Sequence, residues 1–299
     1  MNDNGIPKVS IGLPVYNGAN FLAEALDAIL AQTYRDFEVV IVDNASEDAT
    51  PEICRAYAEK DSRIHFHQNE KNIGAADNYN LSFELARGEY FRWAAHDDLI
   101  APTFLERCVE VLDQNPDVVL CFTRTIAIDG QGNEIKRYPS KQLPATADAQ
   151  TRFRAWVVDP HPVVAIFGLM RREVLAHTRL IGKYSGSDRP LLSEMSLLGR
   201  LYEVPEFLFF YRVHESQSWG GNKSHHAQQA WYDPRRAGRK TYPHWRLLAE
   251  HTKSISRTPL DFQERVTCYG SMLHWVRRNW RPLYRNLLLK DSSVRMNQS

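Results

Sequence analysis

Residues 90–98 have the sequence Tyr-Phe-Arg-Trp-Ala-Ala-His-Asp-Asp. The apolar run at the start of this stretch predicts a buried strand, which places the carboxylates of Asp97 and Asp98 where the strand ends. In an α/β sheet, the carboxyl ends of the strands border the crevice that binds ligands. Mg²⁺ and Mn²⁺ prefer oxygen ligands and share them with substrate phosphates. An acidic pair is also typical of a solvated loop that caps the next helix, so it does not identify a metal site by itself.

The ninety residues before this stretch alternate between strand and helix patterns. Strands are predicted at 8–13, 37–42 and 64–67, each followed by a helical segment. Thr50 is expected to cap the second helix, which has Pro51 at its first position. The order β-α-β-α-β-α-β predicts an α/β fold with a Rossmann-like, mostly parallel sheet and helical crossovers.

Asp43 follows the second predicted strand, where a dinucleotide-binding fold would place an acid on a ribose hydroxyl. That fold also needs Gly-x-Gly-x-x-Gly in the first turn, and residues 13–18 are Leu-Pro-Val-Tyr-Asn-Gly instead. A phosphate-binding loop of the Gly-Lys-Ser type is missing from the sequence as well. These absences argue against NAD enzymes and P-loop kinases. They leave open a nucleotide held by a carboxylate on its base and by a metal on its diphosphate.

The chain resembles the family 2 glycosyltransferases, which have the GT-A fold. The matching motifs occur in order across residues 8–218. They are Val9-Ser10-Ile11 to Asn17, Val42-Asp43-Asn44-Ala45-Ser46-x-Asp48, Asn72-x-Gly74 with Asn80, Ala86-Arg87-Gly88-Glu89-Tyr90, His96-Asp97-Asp98, Gly186-Ser187-Asp188 and Tyr211-Arg212-Val213-His214. Each motif is only moderately specific, but the ordered set is a strong signal.

The resemblance implies a nucleotide-sugar donor, a Mn²⁺ or Mg²⁺ cofactor and a general base. It assigns the metal to Asp97 and His214 and the base to Asp188. Asp43 would bind the imide of uracil or thymine, which favours UDP or dTDP sugars. The residues expected to contact the nucleotide are Pro14, Tyr16, Asn17, Asp43, Asn44, Asn72, Gly74, Asn80, His96, Asp97 and Arg212.

One position departs from the family pattern. Many relatives have Asp-x-Asp-Asp where this chain has Ala95-His96-Asp97-Asp98, so the first acid is missing. The metal-facing acid aligns with Asp97, which is present. The ribose or second metal contact of the missing acid is therefore in doubt. His96 could replace that acid as a neutral ligand or as a donor to phosphate, or it could support a neighbouring group.

The proposed chemical groups each have an ordinary structural alternative. Asp188 precedes an apolar helix and could be its N-cap rather than a base. Glu194 is a weaker base candidate and is expected to be an acid on the helix surface. His214 follows a strand-like run and could complete a metal shell, and Arg212 could neutralise phosphate charge, but isolated histidines are usually structural.

The chain of 299 residues is long enough for one large domain and an appendage. We expect a catalytic domain at 1–220, with a nucleotide-sugar half at about 8–98 and an acceptor half at about 99–220. Residues 221–299 form a basic, Trp-rich helical extension. The four cysteines are scattered, which indicates a reducing, cytoplasmic compartment. The polar start and the lack of a long apolar run predict neither a signal peptide nor a membrane span.

Charge is divided unevenly along the chain. Residues 1–220 carry 22 basic and 31 acidic side chains, whereas residues 221–299 carry 15 and 5. An apolar stripe runs along the extension, and Pro282 should kink or split its helix. We expect the stripe to pack on the catalytic domain or on another subunit, with peripheral contact to the inner membrane face. Nucleic-acid binding lacks a recognition motif. The stripe consists of Phe262, Val266, Tyr269, Leu273, Val276, Trp280, Leu283 and Leu287.

The sequence thus predicts an inverting, metal-dependent glycosyltransferase that acts on a saccharide or lipid-linked saccharide in surface polysaccharide or glycolipid synthesis. The chain could also form a homo-oligomer. Residues 215–240 are expected to be a loop that could close over the donor. Two alternatives are a non-catalytic nucleotide-sugar-binding module and a sugar-phosphate nucleotidyltransferase. The missing acid at position 95 favours the first, and the lack of a glycine-rich basic first loop argues against the second.

Overall fold

The first half of the chain alternates strands with helices, as the sequence predicted. The computed structural model describes residues 5–140, 148–158, 163–214, 225–236 and 241–288. Strands β1 to β4 form a parallel array in the order β3-β2-β1-β4. The elements are β1 Val9–Val15, α1 Leu22–Leu30, β2 Phe37–Asp43, α2 Thr50–Lys60, β3 Ile64–Gln68, α3 Ala75–Glu84 and β4 Tyr90–Trp93.

Mainly apolar sequences explain why these strands are central. β1, β2 and β4 are buried along their whole length, as strands of a parallel sheet are when helices cover both of its faces. α1 buries one face, formed by Leu22, Ala25, Leu26 and Ile29. The predicted α/β class with helical crossovers is therefore confirmed.

The second half extends the same sheet with strands of both directions. The complete order is β3-β2-β1-β4-β8-β6-β9-β5, with β7 paired to β6. β6 and β9 are parallel, whereas β8 runs antiparallel to both β4 and β6. The elements are β5 Leu99–Ile100, α4 Phe104–Gln114, β6 Val118–Ile128, β7 Glu134–Arg137, α5 Ala149–Val157, a 3₁₀ helix Val163–Phe167, β8 Leu169–Arg171, α6 Arg172–Ala176, α7 Asp188–Leu198 and β9 Arg200–Arg212.

The C-terminal helices pack against α5 and α7. Their shared core contains Phe153, Leu197, Leu247 and Met272. Pro282 lies in the first turn of the last helix, so the predicted split is confirmed. Within the described ranges, no helix combines the length and the apolar content that crossing a bilayer requires. The elements are α8 His225–Tyr232, a 3₁₀ helix Pro234–Arg236, α9 Pro243–Arg257, α10 Phe262–Arg278 and α11 Trp280–Leu287.

Three local predictions were wrong. Thr50 is the first residue of α2 rather than its cap, because the Asp48 carboxylate accepts the Thr50 N–H at 3.0 Å. The expected loop 215–240 is helical over 225–236, and its remaining residues lie outside the described ranges. α10 faces the core with Cys268, Ser271, Met272 and Trp275. Of the predicted packing stripe, only Val276 and Leu283 pack on this core, and the other six members are exposed.

Candidate active site

The loops that follow β1 and β2 are joined by hydrogen bonds at the carboxyl edge of the sheet. Asn17 has φ 51°, and its side-chain oxygen accepts the Glu47 N–H at 2.9 Å. Its own N–H donates to the Ser46 hydroxyl at 2.8 Å. Gly18 N–H donates to the Thr50 hydroxyl at 2.9 Å. These bonds fix the first turn, while Tyr16 beside them remains 38% exposed.

Asp43 lies below this turn and is fully buried. Its carboxylate accepts hydrogen bonds from the Ser46 backbone and hydroxyl and, at 3.0 Å, from the Gln68 amide. Gln68 is its register partner at the end of β3. The base of a nucleotide could therefore reach the Asp43 carboxylate only if the Ser46 or Gln68 side chain moves. Pro14 is also buried, within β1.

A network of asparagines holds the loop before α3. Asn44 is 3% exposed, and its side-chain oxygen accepts from the Asn69 amide at 3.2 Å and the Ile73 N–H at 2.9 Å. Its amide donates to Asn72 at 3.0 Å, and the same Asn72 oxygen accepts the Gly74 N–H. Asn44 and Asn72 thus shape the turn that begins α3.

Gly74, in the turn before α3, contacts the end of α8 and the residues that follow it. Its φ is 91°, a conformation that favours glycine. A Cβ added there would lie 2.7 Å from Pro234 Cδ and 2.8 Å from the Tyr232 carbonyl oxygen. The segment 225–236 therefore covers the start of α3. Asp77 reinforces this contact through ion pairs with Lys183 and Arg235.

Asn80 connects α3 to the loop that leads to α7. Its amide donates to the Ile181 carbonyl and its side-chain oxygen accepts the Ile181 N–H, both at 3.0 Å. Both polar ends of Asn80 are therefore bonded to protein backbone. This geometry makes it a brace between the two halves of the site.

The acidic pair has two different environments. Asp97 Oδ2 lies 3.0 Å from His214 Nε2. Burial favours a higher pKa for Asp97, but the hydrogen bond from His214 and the nearby positive charge hold that pKa below its usual value. Asp98 accepts the Arg212 N–H at 2.9 Å, yet burial and the Asp97 charge raise its pKa well above the usual value. Asp97 is therefore the ionised member of the pair.

Arg212 binds the acidic loop to its surroundings. Its side chain is 1% exposed. Nε donates to the Asp97 carbonyl at 2.9 Å, Nη2 donates to Glu24 at 2.7 Å, and Nη1 reaches the Asp129 and Gly130 carbonyls. All three guanidinium nitrogens thus bind protein atoms, and these bonds use four of the five N–H donors, so Arg212 mainly braces the acidic loop.

His96 packs against the first turn. A Cβ added at Gly18 would lie 2.5 Å from His96 Cδ2, so the ring touches the Gly18 backbone. Burial lowers the pKa of His96, which favours the neutral ring. A neutral imidazole offers one donor and one acceptor, as a supporting group or a phosphate donor requires.

The pair Asp97 and His214 fits a divalent cation in part. Two ligands of one octahedral ion at about 2.1 Å lie about 3 Å apart when they are adjacent, close to the distance observed here. No group of three or more metal-binding side chains occurs in the part of the chain that the structure describes. Oxygens of a bound diphosphate would therefore have to complete the shell.

Asp188 is the first residue of α7 and follows Ser187 at the cap position. Burial raises the pKa of Asp188, against the opposing charge of Arg189. Its Oδ1 accepts the Arg189 N–H at 3.0 Å, while the described residues give Oδ2 no hydrogen-bond partner. The Ser187 hydroxyl beside it is buried and also lacks a partner among these residues.

Glu194, the weaker base candidate, is not a surface acid. It is 4% exposed and receives two hydrogen bonds from Arg257, at 3.1 and 2.9 Å. This ion pair connects α7 to α9. Since a partnered buried carboxylate of this kind supports packing, Glu194 has no place in the site.

Tyr79 is a site residue that the sequence patterns did not reveal. Burial raises its pKa, and so do the charges of Asp97, Asp98 and Asp188. Its hydroxyl therefore senses the charge of both the acidic loop and α7, and it forms no hydrogen bond within the described ranges. A tyrosine at helical spacing is usually a core residue, and only its position directly before Asn80 hinted at more.

Comparison with known proteins agrees with this arrangement. The profile described as glycosyl transferase family 2 matches residues 10–178, more than half of the chain. The chain belongs to this family. An uncharacterized glycosyltransferase of Rickettsia typhi is 40% identical over 116 residues, which cover 38% of this chain and 35% of that protein. The chain thus matches about a third of the length of that relative.

Solved structures share the fold. Residues 1–349 of the S. aureus protein TarS, in complex with UDP, superimpose with a TM-score of 0.66 at 16% identity, over 92% of this chain and 72% of that one. The mannosyltransferase PcManGT from Pyrobaculum calidifontis, in complex with GDP-Man and Mn²⁺, gives a TM-score of 0.59 at 19% identity, over 95% and 74% of the two chains. The GT-A fold of this family 2 member is therefore confirmed.

Proposed function

We propose that this chain is an inverting glycosyltransferase that moves a sugar from a nucleoside-diphosphate sugar to a hydroxyl acceptor. The observation that carries the proposal is the carboxylate oxygen Asp188 Oδ2, which has no hydrogen-bond partner among the described residues. The charges of Asp188, Asp97 and Asp98 all raise the pKa of Tyr79, which supports a shared site. A base and a site for a charged leaving group at one sheet edge are what such a transfer needs.

The proposed step forms one bond and breaks another. The acceptor oxygen bonds to the anomeric carbon while the bond from that carbon to the diphosphate oxygen breaks, with inversion at the carbon. The hydroxyl proton moves to Asp188 Oδ2. Burial raises the pKa of Asp188, which makes its carboxylate a stronger proton acceptor than an exposed one. A base in this position contributes about 10²- to 10⁴-fold.

Asp97 and His214 would hold Mn²⁺ or Mg²⁺. When bound, the cation stabilises the charge that develops on the leaving diphosphate. The imidazole ligand favours Mn²⁺, because Mg²⁺ is bound mainly by carboxylate, carbonyl and water oxygens. Arg212 would act on this site through the Asp97 carbonyl that it holds, and His96 through its contact with the first turn.

UDP and dTDP sugars are the proposed donors. The exposed ring of Tyr16 offers a surface for the base at the mouth of the first turn. Asp43 would accept the imide N–H of uracil or thymine once the Gln68 amide is displaced from its carboxylate. Cytosine has no imide N–H, so cytidine donors would lose this bond. Pro14, Asn17, Asn44, Asn72, Gly74 and Asn80 are proposed to shape the nucleotide site through backbone geometry.

The proposed acceptor is a saccharide or lipid-linked saccharide in surface polysaccharide or glycolipid synthesis. The buried Ser187 hydroxyl would form a hydrogen bond with a polar group of the acceptor saccharide bound beside Asp188. The four cysteines are buried free thiols, which suits the reducing cytoplasm. The division at residue 220 and the homo-oligomer remain predictions.

Donor turnover tests the proposal directly. The full chain is incubated with UDP, dTDP, GDP and CDP sugars, with Mn²⁺ or with chelator, and released nucleotide is quantified. Slow release of UDP or dTDP that requires metal supports a transferase. Tight donor binding without release would indicate the non-catalytic binding module that the missing acid at position 95 suggests. Pyrophosphate formation from a nucleoside triphosphate would instead indicate a nucleotidyltransferase.

A further inference from the structure

The last two described helices carry an exposed apolar surface. Fifteen large apolar side chains are exposed in the described part of the chain, and eight of them lie between residues 262 and 288. Phe262 is 84% exposed and Leu273 65%. We call these eight side chains the C-terminal apolar face: Phe262, Val266, Tyr269, Leu273, Trp280, Tyr284, Leu287 and Leu288.

This face is not a loosely packed part of the core. α10 already has a buried side, formed by Cys268, Ser271, Met272 and Trp275. The four exposed residues of α10 follow the spacing i, i+4, i+7, i+11, which places them on one line along a helix about 25 Å long. α10 therefore has two apolar sides. One is packed on the core, whereas the other is exposed and touches α9 through the Tyr269 hydroxyl, 3.0 Å from the Ser256 hydroxyl.

α11 repeats the arrangement in a shorter helix. Leu283 is its buried residue, and its other large apolar side chains are exposed. Trp280, at 56% exposure, is the first residue of this helix, and it follows the exposed Leu273 of α10 by seven residues. Tyrosine and tryptophan are the residues that concentrate at the headgroup level of bilayers.

Basic side chains accompany the face. Residues 262–288 contain five arginines and one acid, Glu264. Arg277, Arg281 and Arg285 are exposed and form no ion pair with any residue that the structure describes. Arg281 lies over the Trp280 ring, 5.4 Å from its centre. The surface thus combines exposed apolar side chains with uncompensated positive charge.

The combination of exposed apolar and basic side chains favours one kind of binding partner over the others. A second copy docked on the same face would bring two sets of unpaired arginines together, which opposes association. A nucleic acid would satisfy the arginines but leave the apolar side chains in water. A bilayer with anionic headgroups satisfies both, since the apolar side chains enter the acyl boundary and the arginines meet the headgroups.

We propose that the C-terminal apolar face docks the protein on the surface of an anionic membrane. The face uses none of the residues proposed for sugar transfer, so vesicle binding and donor turnover are separate measurements. Each exposed arginine near an anionic surface contributes roughly fivefold to binding, and this contribution decreases with salt.

The test measures co-sedimentation of the full chain with vesicles of phosphatidylcholine, with and without phosphatidylglycerol, at low and high salt. We expect binding to the anionic vesicles only, with loss at high salt. The double variant Phe262→Ser/Leu273→Ser should lose binding by at least about tenfold. The control Ile135→Ser removes a side chain of similar exposure, 55%, from β7 and should bind normally.

A second variant separates charge from apolar contact. Arg277→Gln/Arg281→Gln/Arg285→Gln should weaken binding by roughly 100-fold at low salt, with an unchanged circular dichroism spectrum. The proposal is overturned if the wild type ignores anionic vesicles at low salt, or if the apolar double variant binds like the wild type. It is also overturned if that variant merely converts a dimer to a monomer in light scattering, because the face would then join two copies.

Discussion

The two sides of the site differ in how their polar groups are used. On the nucleotide side, Asn17, Asp43, Asn44 and Asn72 are bonded to neighbouring loops, and most of these bonds are to backbone or other site residues. On the side of α7, Asp188 Oδ2 and the hydroxyls of Ser187 and Tyr79 have no partner within the described residues. The first side is a rigid frame, and the second presents groups that are free to react.

This difference separates two kinds of residue that a sequence motif does not distinguish. Residues of the frame act through the shape of the loops, so their loss should reduce stability and donor affinity together. Residues of the reactive side act on bound substrate, so their loss should reduce the rate without reducing stability. The first three predictions below compare a rate or an affinity with stability in the same variant.

Asp188→Asn should produce the largest effect. It keeps the size of the side chain but removes the proton acceptor, so transfer should fall by about 10²- to 10⁴-fold while UDP affinity is retained. Because burial raises the pKa of Asp188, the ionised form is disfavoured by folding at neutral pH, and the variant should be at least as stable as the wild type. Transfer assays, UDP calorimetry and thermal unfolding measure the three quantities.

The matched control is Asp117→Asn. Asp117 is an exposed acid that forms an ion pair with Arg200 and has no proposed role in transfer. The variant should therefore leave transfer unchanged. Near-normal transfer by the Asp188 variant would remove this residue from the role of base.

Asn44→Ala should show the opposite combination. The change leaves the Ile73 N–H and the Asn72 oxygen without their Asn44 partner in a buried loop, which should lower the free energy of unfolding by about 2–3 kcal/mol. UDP affinity should fall as well. Urea unfolding gives the stability, and Asn20→Ala, at an exposed position, should change it by less than about 0.5 kcal/mol. A fully stable Asn44→Ala protein would show that the frame is not where we place it.

Tyr79→Phe should have a smaller, purely functional effect. The hydroxyl has no partner among the described residues, so its removal should cost little stability. A hydrogen bond from it to bound substrate would be worth about 1 kcal/mol, which corresponds to roughly a fivefold loss in kcat/KM. Tyr34→Phe, remote from the carboxyl edge of the sheet, is the control. Equal kcat/KM for Tyr79→Phe and the wild type would place this hydroxyl outside the reaction.

The smallest expected effect is a shift in the pH dependence of kcat/KM, relative to that of an enzyme whose base is an ordinary exposed aspartate. If Asp188 is the base, as proposed, transfer requires its ionised form, so activity should be lost as pH falls through its pKa. Burial raises that pKa, so the loss should begin at a higher pH than an ordinary aspartate would give. The profile of kcat/KM for the wild type locates this limb. A limb in the range of an exposed aspartate would contradict the buried environment of the base.

The sequence predicted the parallel half of the sheet because β1, β2 and β4 are mainly apolar, interrupted only by Ser10, Glu38 and Arg92 before the final Asp43 of β2. It placed Asp43 correctly at the end of β2, whereas Asp97 lies four residues beyond β4, in the loop before β5. It could not show that Arg212 binds the Asp97 carbonyl, because this contact depends on the pairing of β9 with β6. The direction of the α10 stripe was missed for a related reason. Two apolar lines run along that helix, and only tertiary packing decides which of them is buried.

The central claim is that the Asp97 and His214 pair supports a metal-bound diphosphate. Calorimetric titration of UDP into the wild type and Asp97→Asn, with Mn²⁺ and with chelator, tests it most directly. The account predicts that Mn²⁺ tightens UDP binding to the wild type by at least about tenfold and leaves the variant at the weak affinity of the metal-free protein. UDP affinity of the wild type that is the same with Mn²⁺ and with chelator would contradict it.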